Sequence, residues 1–118
     1  MANIVGELTT VAELDRALAE STGRPLLLFK HSLTCPISAR GFQQFESYLD
    51  QPDPNVIYRL IVVQNARSVS NEAAARLGVK HETPQAILVR NGNPVWHASH
   101  MDITSEAIEE AIAAGRNG

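Results

Sequence analysis

The sequence predicts an α/β fold in which a central mixed β-sheet carries helices on both faces. Two observations predict it. Helical and strand-like patterns alternate along the chain, which indicates parallel strands joined by crossover helices. Late in the chain, Asn91-Gly92 separates two β-prone runs. Because a type I′ turn needs positive φ at both central residues, this dipeptide predicts an antiparallel hairpin that completes the mixed sheet.

The chain begins with a short strand-like segment at residues 4–8 and an amphipathic helix. Apolar residues recur at helical spacing from Val11 to Leu18, with charged residues between them. Thr9 or Thr10 precedes this pattern, and either side chain can cap the first turn of a helix. We therefore expect the first helix to start directly after this pair.

The next part of the chain predicts a buried strand, a loop and a second helix. Residues 26–29 form an uninterrupted apolar run, which is typical of a strand buried on both faces. Residues 31–34 are interpreted as a loop, and helical spacing resumes at Pro36. The apolar residues expected to share one face of that helix are Ile37, Phe42, Phe45, Tyr48 and Leu49.

The second half of the chain predicts three more strands and two more helices. In order, they are a strand at 56–63, a helix from Ser68 or Ser70 to Gly78, hairpin strands at 86–90 and 95–97, and a last helix capped by Thr104 or Ser105.

Length and composition indicate one globular domain that spans residues 1–118. The chain is 44% hydrophobic and 19% charged, which is ordinary for a folded domain of this size. Its formal net charge of −3 gives no general attraction for nucleic acid or anionic lipid. No apolar run approaches the roughly 20 residues that cross a bilayer. We therefore expect neither a nucleic-acid nor a membrane partner, and we expect a cytoplasmic location.

Cys35 is the single cysteine of the chain. One cysteine cannot form an intramolecular disulfide, and this excludes a disulfide-stapled secreted scaffold. It also excludes a zinc site that needs two or more thiolates, so no metal site is expected. In a reducing compartment a lone thiol stays free, which leaves its reactivity as the feature to explain.

The position of Cys35 favours a reactive role. It follows a buried strand and a loop, and Pro36 behind it suits the first position of a helix. We therefore expect the free N–H groups of Ile37 and Ser38 to point toward its sulfur. Such donors at a helix N-terminus stabilise a thiolate, which is the nucleophilic form of cysteine.

Ser38 occupies the position where a Cys-x-x-Cys redox motif has its second cysteine. A second thiol would attack the mixed disulfide and release the substrate, and a serine cannot do so. Its hydroxyl is expected to donate a hydrogen bond to the Cys35 thiolate. A site with Cys35 alone can still accept a thiol adduct and wait for an external thiol to remove it.

The second half of the chain resembles thioredoxins. The segments that carry this resemblance are Leu77-Gly78-Val79, Thr83-Pro84, residues 86–89 and Asn91-Gly92. The resemblance implies a thioredoxin-like fold in which the bond before Pro84 is cis. It also implies that Thr83-Pro84 faces Cys35 and pairs with a bound substrate as an added strand would.

The active loop resembles that of the monothiol bacilliredoxins, the YtxJ-type family of the bacillithiol system. The resemblance lies in Lys-His-Ser-Leu-Thr-Cys-Pro-Ile-Ser at residues 30–38, together with Trp96, His100 and Asp102-Ile103-Thr104. It implies an enzyme that removes bacillithiol from S-thiolated proteins. Cys35 would be the nucleophile, bacillithiol the thiol co-substrate, and a second bacillithiol or a partner reductase the source of regeneration. No tightly bound cofactor is implied.

The candidate site residues follow from the active loop and from the segment around Pro84. The candidate catalytic residues are Cys35, Pro36 and Ser38, and the candidate substrate-binding residues are Thr34, Ile37, Thr83, Pro84, His31, His81 and His100. Among these, His31 either stabilises the thiolate electrostatically or is a solvated histidine of the loop, and the sequence leaves both open. Lys30 and Arg40 are further candidates, as basic groups that attract the carboxylates of a small thiol.

Two other function classes remain open on the sequence. One is a thioredoxin-like binding module that docks peptides or holds an iron–sulfur cluster as monothiol glutaredoxins do, although their Cys-Gly-Phe-Ser stretch is absent here. The other is a redox sensor that dimerises through a Cys35–Cys35 disulfide. Visible absorption after anaerobic reconstitution would indicate the first, and a dimer on a non-reducing gel would indicate the second.

Overall fold

A five-stranded mixed β-sheet forms the centre of the computed structural model, which describes residues 5–116. The elements in chain order are β1 Val5–Glu7, α1 Val11–Glu20, β2 Leu26–His31, α2 Pro36–Tyr48, β3 Ile57–Val62, α3 Arg67–Leu77, β4 Gln85–Arg90, β5 Asn93–Ser99, a 3₁₀ helix His100–Asp102 and α4 Ser105–Arg116. In space the strands follow the order β1-β3-β2-β4-β5.

The sheet has a parallel half and an antiparallel half, as the sequence predicts. β3 pairs in parallel with β1 and β2, whereas β4 is antiparallel to both β2 and β5. β2 is therefore the central strand. Near its carboxyl end, Lys30 is opposite Ile61 of β3 on one side and Gln85 of β4 on the other.

Helices cover both faces of the sheet, because successive β2 side chains point to opposite faces. Leu26 and Leu28 pack in the layer formed with α1 and α3. Leu27 and Phe29 pack in the layer formed with α2 and α4. The predicted fold class is thus confirmed, and the apolar run at 26–29 is buried on both faces.

Several turn and cap residues behave as their chemistry predicts. Thr10 caps α1 through a reciprocal capping box with Glu13. Gly78 ends α3 with φ of 66°, and the hairpin residues Asn91 and Gly92 have φ of 53° and 74°. These positive φ values are the reason that Gly and Asn occupy the three positions.

The structure corrects two sequence-based boundaries. His31 belongs to β2 rather than to a loop, because the parallel ladder continues to its partner Val62. α3 begins at Arg67, so neither Ser68 nor Ser70 is its N-cap. Ser70 is instead buried within that helix.

Two further differences concern the region around Cys35. Ile37 does not share the buried face of α2, because Ser38 is the residue of the first turn that is buried, and Ile37 is 43% exposed. The 3₁₀ helix after β5 was not predicted from the sequence.

The short strand predicted at 4–8 is present as β1, although Ile4 lies outside the described residues. Within residues 5–116, no helix is long and apolar enough to cross a membrane.

Candidate functional site

Cys35 is the N-cap residue of α2, and Pro36 is the first residue of that helix. The thiol is free and partly exposed. The carbonyl oxygen of Cys35 accepts the N–H of Ala39 at 3.1 Å, which fixes the first turn of the helix. The predicted placement of the cysteine at a helix start is therefore confirmed.

The sulfur of Cys35 lacks the hydrogen bonds to the helix N-terminus that the sequence predicts. Cys35 makes no side-chain capping hydrogen bond, so the N–H groups of Ile37 and Ser38 do not bind its sulfur. The thiol is instead partly open to solvent. An open thiol is accessible to an incoming disulfide.

Ser38 is fully buried and serves the preceding loop rather than the thiol. Its Oγ accepts the N–H of Ser32 at 2.8 Å and lies 2.7 Å from Nδ1 of His31. The expectation that this hydroxyl donates to the Cys35 thiolate is therefore wrong in this structure, because two nearer polar groups occupy it.

Burial lowers the pKa of the His31 imidazole, against a smaller opposing effect of Glu46. The ring stacks on Phe42 with centroids 4.7 Å apart. Ser38 Oγ and Nδ1 of this ring are hydrogen-bonded, and the tautomer of the ring decides which of them donates. A lowered pKa favours the uncharged ring, which argues against electrostatic stabilisation of the thiolate by His31.

Thr83-Pro84 lies beside α2, and its peptide bond is cis. Pro84 is buried against Gly41, where an added Cβ would be only 2.9 Å from Cγ of the proline ring. The carbonyl oxygen of Pro84 accepts the N–H of His100 at 3.0 Å. The segment is thus held between the helix that carries Cys35 and the 3₁₀ helix that follows β5.

His100 and His81 lie in different surroundings. His100 is exposed and has φ of 57°, a left-handed conformation next to Pro84. His81 Nδ1 lies 3.2 Å from Ser70 Oγ of α3, and burial together with the charge of Lys30 lowers its pKa. The structure therefore groups His100 with the Pro84 segment and groups His81 with α3.

The two candidate basic residues behave differently from expectation. Lys30 is fully buried, and its Nζ donates to the carbonyl oxygen of Ser70 at 3.4 Å. Lys30 lies two residues after Leu28 in β2, so both side chains point to the face that α3 covers. Lys30 therefore cannot meet the carboxylate of a ligand in solvent, and that interpretation is wrong. Arg40 is half-buried and donates to the carbonyl oxygen of Ile103 at 3.5 Å.

Three exposed apolar side chains lie on the loop before Cys35, on α2 and on the 3₁₀ helix. Leu33 is 62% exposed and Ile37 is 43% exposed, and they flank Cys35 in the chain. Met101 is 55% exposed on the 3₁₀ helix, which contacts α2. Thr34, directly before the cysteine, is also exposed. The site is an open surface with an apolar rim rather than a closed cavity.

Gln64 is a residue of this site that the sequence interpretation missed. It follows β3, and its side chain hydrogen-bonds to the loop between β2 and α2. One signal could have found it. β2 and β3 are parallel neighbours, so a polar residue that follows β3 lies at the same sheet edge as the loop that precedes Cys35.

The arrangement suits thiol–disulfide exchange. A nucleophilic sulfur needs access and a stable backbone, and Cys35 has both. Ser38 at the second position is buried and carries no thiol, so the described site holds no resolving group. Within the part of the chain that the structure describes, no three His, Cys, Asp or Glu side chains form a group suited to a metal ion.

Comparison with known proteins agrees with this geometry. A family model described as "Monothiol bacilliredoxin BrxC" matches residues 6–108. A solved structure described as having a thioredoxin fold is 32% identical, with a TM-score of 0.82, over 93% of this chain and 95% of that chain.

Two solved thioredoxins show the same fold at lower identity. Thioredoxin from Fasciola hepatica is 17% identical with a TM-score of 0.74, over 92% of this chain and 97% of that chain. Thioredoxin f from spinach chloroplast is 16% identical with a TM-score of 0.73, over 95% and 86% of the two chains. The thioredoxin-like fold expected from the sequence is therefore confirmed.

Proposed function

Since the chain belongs to the monothiol bacilliredoxin family, we propose that it removes bacillithiol, or a similar small thiol, from S-thiolated proteins. Family and fold together support a redox role. The observation that carries the finer proposal is the single free thiol at the N-cap of α2, with a buried serine where a resolving cysteine would lie.

The first step transfers the small thiol to the enzyme. The Cys35 thiolate attacks the bacillithiol sulfur of the mixed disulfide on the target protein. A Cys35–bacillithiol disulfide forms, the bond to the target sulfur breaks, and the target leaves as a thiolate that takes a proton from water.

The second step needs a thiol from outside, because Ser38 cannot supply one. A second bacillithiol thiolate attacks the bacillithiol sulfur on Cys35, which releases oxidised bacillithiol and the free Cys35 thiolate. In the net reaction the external bacillithiol is oxidised, the target thiol is regenerated, and the mixed disulfide is replaced by the disulfide of two bacillithiol molecules. A partner reductase that attacks the same disulfide would have the same effect.

The surroundings of Cys35 support a protein substrate. Leu33, Ile37 and Met101 offer apolar contact area on an open surface. The backbone of Thr83 takes part in no hydrogen bond within the part of the chain that the structure describes. Its N–H and C=O groups therefore suit pairing with an extended segment of the target, as an added strand would pair.

Transfer of the adduct tests the proposal directly. Target proteins modified with bacillithiol, glutathione or coenzyme A are incubated with wild type and with Cys35→Ser, and intact mass follows the adduct. We expect wild type to acquire the bacillithiol adduct fastest and Cys35→Ser to acquire none. If wild-type Cys35 acquires no adduct from any of the three targets, the proposed function is wrong.

A further inference from the structure

The side chain of Gln64 hydrogen-bonds to three consecutive residues of the loop that precedes Cys35. Its Oε1 accepts the N–H of Leu33 at 3.0 Å. Its Nε2 donates to Oγ of Ser32 at 2.9 Å and to Oγ1 of Thr34 at 3.3 Å. The amide therefore uses its acceptor and both of its N–H groups on three consecutive residues.

A hydrogen bond to Ser38 of α2 also fixes the same loop. The N–H of Ser32 donates to the buried Oγ of Ser38 at 2.8 Å. Ser38 acts from α2, whereas Gln64 acts from the end of β3, so the loop is fixed from two independent elements. Of the two, only Gln64 contacts Thr34, the residue adjacent to the nucleophile.

The bonds of Gln64 lie at the surface, where water could replace each of them. Gln64 and Thr34 are both exposed. Hydrogen bonds that water can replace contribute little to global stability, so the three bonds act mainly on the order of the loop. Leu33, whose N–H donates to Gln64, has a side chain that is 62% exposed.

We propose that Gln64 is a positioning residue for thiol exchange, an inference that rests on the proposed function of Cys35. It holds residues 32–34 so that the thiol and the apolar side chain of Leu33 meet a peptide-borne disulfide in one fixed arrangement. Small losses of alignment are costly in such reactions, because attack requires the reacting sulfurs to be well oriented. A small disulfide reagent has no peptide chain to align, so its reaction should depend little on this arrangement.

The test compares two disulfides that need no bacillithiol. One is a peptide whose cysteine is activated by a nitrobenzoate thiol, and the other is the free bis(nitrobenzoate) disulfide. In both reactions the Cys35 thiolate attacks one sulfur, the S–S bond breaks, and a coloured nitrothiobenzoate leaves with the electron pair.

The variant is Gln64→Met, which keeps the side-chain length and removes all three hydrogen bonds. The control is Asn65→Ala, which removes a neighbouring exposed amide that bonds to Glu7 of β1 instead.

We expect Gln64→Met to slow the peptide reaction about tenfold and the small-reagent reaction less than twofold, with the unfolding midpoint almost unchanged. Amide hydrogen exchange at Leu33 should accelerate in this variant and stay unchanged in Asn65→Ala. Equal rates for wild type and Gln64→Met with the peptide would overturn the proposal. An equal fall with both disulfides would overturn it too, since Gln64 would then act on the thiol itself. Neither of these two results depends on bacillithiol. A failure of the Gln64 proposal can therefore be distinguished from a failure of the proposed function.

Discussion

At the scale of single residues, Ser38 lies at the second cysteine position of a Cys-x-x-Cys motif but has a different role. In a two-cysteine site this position supplies the resolving thiol. Here its hydroxyl accepts the N–H of Ser32 and is hydrogen-bonded to Nδ1 of His31. Both partners belong to the end of β2 and the loop after it, so Ser38 shapes the path of the chain toward Cys35.

Ser38→Ala should therefore destabilise the protein more than a typical serine substitution. The change leaves the N–H of Ser32 and Nδ1 of His31 without this partner, and unsatisfied buried groups cost about 1–3 kcal/mol. Urea unfolding should show a loss of about that size in the free energy of unfolding. The control is Ser47→Ala on the exposed face of the same helix, which should change it by less than about 0.5 kcal/mol. Equal values for the two variants would contradict the anchoring role.

At the scale of elements, the sequence is most informative where a residue type has a conformational requirement. Asn91, Gly92 and Gly78 mark a turn and a helix end because positive φ excludes most other residues. The wrong boundaries at His31 and Ser68 have the opposite cause. There the end of an element depends on a partner strand or on packing, neither of which leaves a local signal.

The same distinction applies to the candidate site. Cys35 and Pro36 could be placed at a helix start because proline suits that position for a local reason. The role of Gln64 depends on the parallel pairing of β2 with β3, and the burial of Lys30 depends on the face of β2 that α3 covers. These are tertiary facts, so spacing along the chain could not show them.

The packing of α2 against Pro84 leads to a prediction about Gly41. Alanine favours a helix over glycine by about 1 kcal/mol, so propensity alone predicts that Gly41→Ala stabilises the protein. The new Cβ, however, would lie 2.9 Å from Cγ and 3.0 Å from Cβ of the rigid proline ring. We expect a net destabilisation of about 1–3 kcal/mol by urea unfolding, because overpacking forces the helix or the Pro84 segment to shift.

Gly23→Ala is the matched control for this change. A Cβ at Gly23 would meet only the carbonyl oxygen of Glu20, at an ordinary 3.9 Å. This variant should be as stable as wild type or slightly more stable, because alanine lowers the entropy of the unfolded chain. If Gly41→Ala proves at least as stable as Gly23→Ala, the close contact with Pro84 does not constrain the helix.

At the scale of the whole molecule, the two faces of the sheet serve different purposes. The layer of α2 and α4 carries Cys35, Ser38 and the aromatic ring stack beneath them. The layer of α1 and α3 is mostly aliphatic, yet it encloses Lys30 at the end of β2 nearest the active loop. A buried ammonium group is costly unless it is well compensated, and here a single carbonyl oxygen accepts from it.

The buried lysine gives global stability a distinctive pH dependence. Burial lowers the pKa of Lys30 to about 8, whereas an unfolded lysine titrates near 10.4. Between these two values the unfolded chain binds more protons than the folded chain. The contribution of Lys30 to the free energy of unfolding therefore rises with pH through this window, with a slope of at most about 1.4 kcal/mol per pH unit. Below about pH 8 the full cost of burying the charge is present.

Lys30→Met should remove this rise and make the protein more stable than its parent at pH 7.5, since methionine fills similar space without a charge. Urea unfolding between pH 7.5 and about 9.5 tests this in a Cys35→Ser background, so that no thiol titrates in the window. The upper limit avoids the titration of Tyr58, whose pKa in the folded chain is raised by burial. Above about pH 10 this tyrosine ionises in the unfolded chain first, which lowers the free energy of unfolding. Lys80→Met, at an exposed lysine, should keep the slope of the parent. A slope that survives Lys30→Met would place the pH dependence in another group and leave the buried ammonium without a measurable cost.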